Sequence, residues 1–329
     1  MRVLILGGSG LVGAGLTELL GRQASQRLPP VTELVLADRG PPKRDFQAPF
    51  PVRFQECDLR DGSQVEAVFA HAPDLVFHLA AVMSGIAERD YERAWQINVD
   101  GTRRILEACR KLGRCPRFVF TSSTAVYGED HPDPVPDDYP PRPANAYGTQ
   151  KAIGELMVLE YSRKGFVDGR IGRLAGVAIR PDSAHQGAAA FITSIVREAL
   201  LGRDVVCPVP LKTRICVISP RIASASVLHL AELPEDMVRD SRTIQIPALS
   251  VTVEELIEGV QRVGGDGLLQ RIRIEIDEEL VKIRKGIATS FKGDRGRRLG
   301  FPLTESVDSV IAEYLRDSKV ISAFAGSQA

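Results

Sequence analysis

The sequence predicts an α/β fold in which a parallel sheet is covered by helices on both faces. Three observations carry this. Short apolar runs alternate with helical stretches through the first half of the chain, the first run stops at a glycine cluster that opens a helix, and the second run ends on an acid. Strands that alternate with helices pair in parallel, because each crossover helix returns the chain to the same end of the sheet.

Residues 2–6 (RVLIL) are the first strand and stop at Gly7-Gly8-Ser9-Gly10. A helix follows from Leu11 to about Gln23, and Pro29-Pro30 prevents its continuation. Residues 31–37 (VTELVLA) are the second strand, delivering Asp38. Further strands are expected at 52–56, 75–79 and 117–121, with helices at 63–70 and 91–112 between them. The stretch 129–143 (EDHPDPVPDDYPPRP) is dense in Pro and Asp and reads as an irregular loop. Helical periodicity returns over 147–163, and an apolar strand follows over 169–179. The second half is less regular, with a helix near 188–201, short strands near Val205 and Ile215, and helices near 223–230, 253–263 and 307–315.

A chain of 329 residues can bury a sizeable core, as one large domain or two unequal ones. Its 42 Lys and Arg balance 42 Asp and Glu, so no net charge draws the whole molecule to nucleic acid or anionic membrane. Cys57, Cys109, Cys115, Cys207 and Cys216 are odd in number and scattered, without zinc-site or CxxC spacing. They read as idle thiols in a reducing compartment, and a cytoplasmic location is expected. The apolar run after Arg2 is too short for a signal-peptide core, and no run approaches a membrane span. The five histidines show no ligand pattern, so no metal is expected, and His78 reads as a core residue of its strand.

Gly7, Gly10 and Gly13 stand at GxxGxxG spacing between a strand and a helix. Glycines there permit a sharp turn, let a pyrophosphate approach backbone N–H groups, and let the helix pack closely on the sheet. The helix N-terminus adds partial positive charge. Such trios are common in turns without a ligand, and the flanking strand and helix are what favour a dinucleotide site. Asp38 ends the second strand, where such a site places a carboxylate on the adenosine ribose. As a bland alternative it is a turn residue. Its charge would repel a 2′-phosphate, which favours NAD over NADP, although Arg39 beside it is the kind of residue that holds that phosphate.

Tyr147 and Lys151, four apart, share one helix face. Such pairs arise often by chance on solvated helices; position, after a βα half and the strand RFVFTSS, raises this one. A phenol with its ordinary pKa near 10 is a poor base at neutral pH. A nearby ammonium and a positive nicotinamide ring both favour phenolate, each close opposite charge being worth about 1–3 pKa units. Tyr147 can then accept a hydroxyl proton as hydride leaves. Ser123, at the strand end, is the candidate that orients the reacting oxygen, while Thr121, Ser122 and Thr124 beside it also read as a polar strand end.

GGSGLVG (7–13), Asp38, CDLRD (57–61), HLAA (78–81), INVDGT (97–102), FTSSTAVYG (120–128) and YGTQK (147–151) occur in the order of the extended short-chain dehydrogenase/reductases, the NAD-dependent epimerase/dehydratase family, which the first half resembles. The resemblance implies a Rossmann-type doubly wound parallel sheet over 1–170, including the catalytic helix. It also implies a smaller, mainly substrate-binding domain over 171–329 with some segments returning to the first, and a homodimer. By motif, NAD would lie on Gly7, Gly10, Leu11, Val12, Gly13 and Asp38, with Asp58 and Leu59 by adenine. Leu79, Ala80 and Ala81 would run along it, followed by Asn98, Thr121, Tyr147 and Lys151. Ser123, Tyr147 and Lys151 match the catalytic set.

Within the family, AAVMSGIAE (80–88), QKAIGELMVLEYSRKGFVDGR (150–170), VVCPVP (205–210), TR (213–214), SPR (219–221) and LSVTVEEL (249–256) resemble the D-erythronate dehydrogenase-like subgroup. That subgroup oxidises a secondary hydroxyl of a small sugar acid with NAD. Departures fall in the second half: Ala175-Gly176 and Asp182 replace expected residues, and Ile215-Cys216 stand where an aromatic is expected. A carboxylate substrate calls for a cationic clamp. Arg180 and Arg214 are its candidates, with Ser84 and Thr124 as neutral donors beside Ser123 and Tyr147. The leading expectation is an NAD-dependent oxidoreductase acting on a small polyhydroxy acid, with no nucleic-acid or membrane partner. Alternatives are a sugar-nucleotide epimerase or dehydratase that recycles NAD, and a regulatory protein that binds NAD(H) without chemistry.

Overall fold

The structure, a computed structural model, describes residues 1–23, 25, 27–179, 189–265 and 267–316. Its strands are β1 (Arg2–Leu6), β2 (Glu33–Asp38), β3 (Val52–Glu56), β4 (Leu75–His78), β5 (Arg117–Ser123), β6 (Asp168–Leu174), β7 (Gly176–Val177), β8 (Val205–Cys207), β9 (Arg214–Ile218), β10 (Thr243–Gln245), β11 (Leu249–Thr252) and β12 (Ile272–Ile274). Helices of the first half are α1 (Leu11–Gly21), α2 (Gly62–Phe69), α3 (Ser84–Arg89), α4 (Tyr91–Trp95), α5 (Gly101–Lys111) and α6 (Ala146–Arg163). Those of the second half are α7 (Ala190–Leu200), α8 (Pro220–Glu232), α9 (Glu235–Val238), α10 (Val253–Gly264), α11 (Glu278–Lys285), α12 (Asp294–Arg298) and α13 (Val307–Leu315).

Among the described residues, seven strands form one all-parallel sheet in the order β10-β6-β5-β4-β1-β2-β3. Both faces are covered, so the central strands are apolar throughout rather than alternating with polar residues. Alternation instead selects the face. Val3 and Ile5 pack with Leu16 and Leu20 of α1 and Val227 and Leu230 of α8. Leu4 and Leu6 pack with Val68 of α2 and Ile105 and Leu106 of α5. The chain runs outward from β1 to β3, then restarts at β4 on the other side of β1. That reversal leaves a crevice at the carboxyl ends of β1 and β4, the usual place for a ligand in such sheets.

Beside this sheet, β11-β9-β7 and the pair β12-β8 enclose a second core with α7, α10 and α13, built from residues such as Ile195, Val217, Leu256 and Ile311. The expected strand at 169–179 is divided: β6 ends at Leu174, and after Ala175 the chain enters β7, which pairs with β9 in the other sheet. The expected helix at 91–112 is α4, a π-helical turn Gln96–Asp100, and α5. Residues 129–143 have no helix, and Val135 makes a single bridge to Phe291. The short β10, absent from the sequence reading, extends the sheet beside β6.

Candidate active site

The glycine turn lies at the crevice. Gly7 has φ +87, and a Cβ there would come within 2.7 Å of the Ala80 backbone nitrogen. A Cβ on Gly13 would lie 2.4 Å from the Gly7 carbonyl oxygen. Both positions therefore require glycine, one for its left-handed backbone and one for close packing of helix on turn. Gly10 starts α1 without a side-chain cap and its own N–H donates to the Gly7 carbonyl, while Leu11, Val12 and Gly13 follow with the first-turn N–H groups. Asp38 joins the turn directly: its carboxylate accepts from the Ser9 N–H (3.1 Å) and the Arg39 N–H (2.8 Å). Leu79 and Ala80 both donate to the Leu6 carbonyl, which brings the end of β4 against the turn.

Asp58 and Leu59 follow β3 along the same edge. The Asp58 carboxylate is gripped by the Arg60 guanidinium, whose hydrogen bonds hold it below the usual carboxylate range. Leu59 is buried against Gly101. Asn98 sits in the π-helical turn and clamps two elements. Its side chain accepts from the Val82 N–H and donates to the Val82 carbonyl and to Gln150 of α6. A dinucleotide fits this set: the turn reserves backbone space that a side chain would fill, N–H groups face the crevice, and Asp38 offers its charge at the far end.

Next to the turn lies a cavity of about 200 Å³. Val12, Leu79, Ala81, Thr121, Ser123, Tyr147 and Lys151 all line it, as do Ser84 and Thr124. Ser123 ends β5 and its hydroxyl oxygen caps the following 3-10 turn by accepting from the Ala125 N–H. Tyr147 and Lys151 come from the first turns of α6, which Asn145 caps through the Gly148 N–H. Lys151 is fully sequestered: Nζ donates to the Thr121 carbonyl at 2.7 Å and lies 4.7 Å from the Phe120 ring centre. Burial pushes its ammonium from 10.5 down to about 7, with the Glu155 carboxylate opposing.

Behind the cavity runs a buried network that sequence reading missed. The Ser122 hydroxyl donates to Glu155 (2.5 Å), and Arg173 of β6 grips the same carboxylate with two nitrogens, at 2.9 and 2.7 Å. Burial works against the Arg173 charge, yet the carboxylate keeps its pKa above the ordinary value. Arg173 also stacks over Tyr127, whose hydroxyl donates to Gln245 of β10. The network ties α6 to the strands beneath it. His78 is buried and hydrogen-bonded to Thr102, and burial lowers its pKa to about 3.

Arg180 lies outside the described residues. Arg214 is exposed at the start of β9 and faces a neighbouring opening with Glu129, His131 and Lys285, not the cavity. Arg214 shares its strand face with Cys216, which reaches the cavity wall, but it stands two residues earlier at the start of the strand, roughly 7 Å further along, while Ile215 on the other face enters the second core. Ala175, Gly176 and Cys216, positions where the sequence departs from its pattern, all line the cavity. Arg284 of α11 lines both the cavity and the opening, and the sequence reading did not single it out.

Residues 3–214 match the model of the NAD dependent epimerase/dehydratase family. The chain is 38% identical over 322 residues to a D-erythronate dehydrogenase of Cupriavidus necator, covering 97% of this chain and 99% of that one. It is 36% identical to a D-erythronate dehydrogenase of Haemophilus influenzae, over 96% and 99% of the two chains. Its fold is similar, with a TM-score of 0.91, to a crystal structure described as that of the nucleoside-diphosphate-sugar epimerase from Agrobacterium tumefaciens. That protein is 38% identical over 97% of this chain and 94% of the other.

Proposed function

The chain belongs to the NAD dependent epimerase/dehydratase family and is an enzyme of the extended short-chain dehydrogenase/reductase type, and we propose that it oxidises a secondary hydroxyl of a small polyhydroxy acid, D-erythronate being the first candidate. The observation that carries this reading is the convergence of Ser123, Tyr147 and Lys151 on one small cavity beside the glycine turn. The turn from Gly7 to Gly13, Asp38, Asp58, Leu59, the 79–81 segment, Asn98, Thr121, Tyr147 and Lys151 would hold NAD. Bound there, NAD supplies the hydride acceptor. Asp38 favours the unphosphorylated ribose by repelling a 2′-phosphate.

The chain's own part is to position the substrate and manage one proton. The Ser123 hydroxyl orients the reacting oxygen, and the Tyr147 phenol oxygen takes the hydroxyl proton. Lys151, anchored on the Thr121 carbonyl and close to the Tyr147 ring, supports the phenolate when charged.

The likeness to the Agrobacterium epimerase favours a second reading, epimerisation with NAD reduced and reoxidised within one turnover. One assay separates them. The protein is incubated with NAD or NADP and a panel of hydroxy acids including D-erythronate, and reduced cofactor is followed by absorbance beside Tyr147→Phe. Accumulating NADH that the variant loses supports the dehydrogenase. Absence of NADH with every acid, together with interconversion of a nucleotide sugar, rejects it.

A further inference from the structure

We infer that Ser122 is a positioning residue: by donating its hydroxyl proton to Glu155 of α6 it fixes the overhanging end of β5, holding Ser123 in place beside Tyr147 and the Thr121 carbonyl against Lys151. This rests on the reading that Ser123, Tyr147 and Lys151 carry the chemistry, and it adds a residue that acts through them.

The strand β5 runs past one of its neighbours. Its ladder with β4 ends at the pair His78 and Phe120, whereas its ladder with β6 continues through Thr121 and Gly172, Ser122 and Arg173, and Ser123 and Leu174. The last three residues of β5 therefore have a strand on one side only, at the edge of the cavity. Other bonds do there what a second strand would do. The Thr121 hydroxyl donates to the His78 carbonyl at 3.1 Å, the Thr121 carbonyl accepts from Lys151 at 2.7 Å, and the Ser122 hydroxyl donates to Glu155 at 2.5 Å.

Strand alternation explains why Ser122 is the residue that reaches the helix. Phe118, Phe120 and Ser122 share one face, and the two phenylalanines belong to the core that contains Val158 of α6. Continuing that row, Ser122 meets α6 at Glu155, one turn beyond Lys151. Glu155 does not need the hydroxyl for charge balance. Arg173, directly opposite Ser122 on β6, already grips both carboxylate oxygens, at 2.9 and 2.7 Å. What Ser122 contributes is a fixed position. It is 3% exposed and Glu155 2%, so water does not compete for the bond, and a hydrogen bond to a carboxylate is of the strong kind. Ser122 stands between the residue whose carbonyl anchors Lys151 and the residue whose hydroxyl would orient the substrate. Movement of the strand end displaces both together, and a misplacement of about 1 Å can slow a reaction by about 100-fold.

The test is a double-mutant cycle of Ser122→Ala and Ser123→Ala, with Ser122→Thr as the variant that keeps the hydroxyl. Turnover is read as NAD reduction by D-erythronate and other hydroxy acids, or as interconversion of a nucleotide sugar, whichever wild type catalyses. Ser122→Ala should lower kcat about tenfold and change KM less than about twofold, and Ser122→Thr should recover most of the loss. In the Ser123→Ala background the same change should cost about threefold or less, because one of the groups being positioned is gone. Losses that multiply in full, or an unchanged kcat in Ser122→Ala, would overturn the inference. The Glu155–Arg173 pair survives in the alanine variant; should that variant still fail to fold, Ser122→Cys, of similar bulk but a weak donor, takes its place in the cycle. Crystal structures of ligand-free wild type and Ser122→Ala read the geometry without turnover. The distance from Lys151 Nζ to the Thr121 carbonyl, 2.7 Å, should lengthen past about 3.5 Å in the variant. An unmoved strand end refutes the positioning role, whatever the chemistry. A displaced strand end together with full turnover in Ser123→Ala would sink the Ser-Tyr-Lys reading alone.

Discussion

Replacing Lys151 by methionine should stabilise the ligand-free protein in mild acid while abolishing turnover. Lys151 is fully buried, and its ammonium is held at about 7 where an exposed lysine stands at 10.5. The unfolded chain restores the ordinary value, so between pH 7 and 10.5 the unfolded state binds one proton more than the folded state. Stability then rises with pH across that window by about 1.4 kcal/mol per unit. Below pH 7 the lysine is charged in both states, and the folded state carries the whole penalty, about 5 kcal/mol. Methionine has similar bulk and no charge, but it abandons the Thr121 carbonyl that Lys151 satisfies, at a cost of about 1–3 kcal/mol. The variant should therefore be about 2–4 kcal/mol more stable than wild type at about pH 6. By about pH 9 the wild-type penalty has shrunk to about 2 kcal/mol, and the advantage should vanish. Urea unfolding of both proteins without cofactor, at these two pH values, measures the difference, in which titrating groups that do not act on Lys151 cancel, and buried His78, with its pKa at about 3, stays neutral at both. A wild type as stable as the variant in mild acid, or a gap that ignores pH, would show that the buried lysine carries no such penalty.

Gly13→Ala should weaken NAD binding at least tenfold by calorimetry, because the new Cβ meets the backbone of Gly7 and Gly8, at 2.4 and 2.9 Å, and the turn must move. Gly62→Ala, with no atom within 4 Å of its Cβ, is the control that should leave binding intact. Glu155→Gln removes the anion from buried Arg173 and should cost about 3–5 kcal/mol of stability in urea at neutral pH; a loss below about 1 kcal/mol would mean that Arg173 finds another partner.

Most of the central sheet was legible because its signals are local. β1, β2, β4 and β5 are runs of mainly apolar residues, whereas the edge strand β3 (VRFQE) carries a weaker pattern, and Gly7, Gly13 and Asp38 carry their meaning in their own backbone neighbourhood. β10 was not legible: three residues are too few to show a period, and what makes them a strand is the free edge of β6. The division of 169–179 was missed for a related reason. The apolar run continues across Ala175, and only the pairing partner changes, from β5 to β9.

Tyr147 and Lys151, proposed as the catalytic pair, and Arg284 on the cavity wall differ in the same respect. Tyr147 and Lys151 share a helix face, so their spacing alone brings them together, and Ser123 reaches them because β5 and α6 are packed neighbours. Arg284 stands in EELVKIRK, a short helix whose charges read as a solvated face. Its burial involves Phe191 and the start of β9, contacts made across long sequence separations. Chemistry written in one helix can be read from one helix. The cavity wall, by contrast, is assembled from α11, β7, β9 and the end of β6, with Ala175, Gly176 and Cys216 among its residues. The proposed hydride chemistry therefore rests on motifs, whereas the acid proposed for it has to be argued from the walls that the fold brings together.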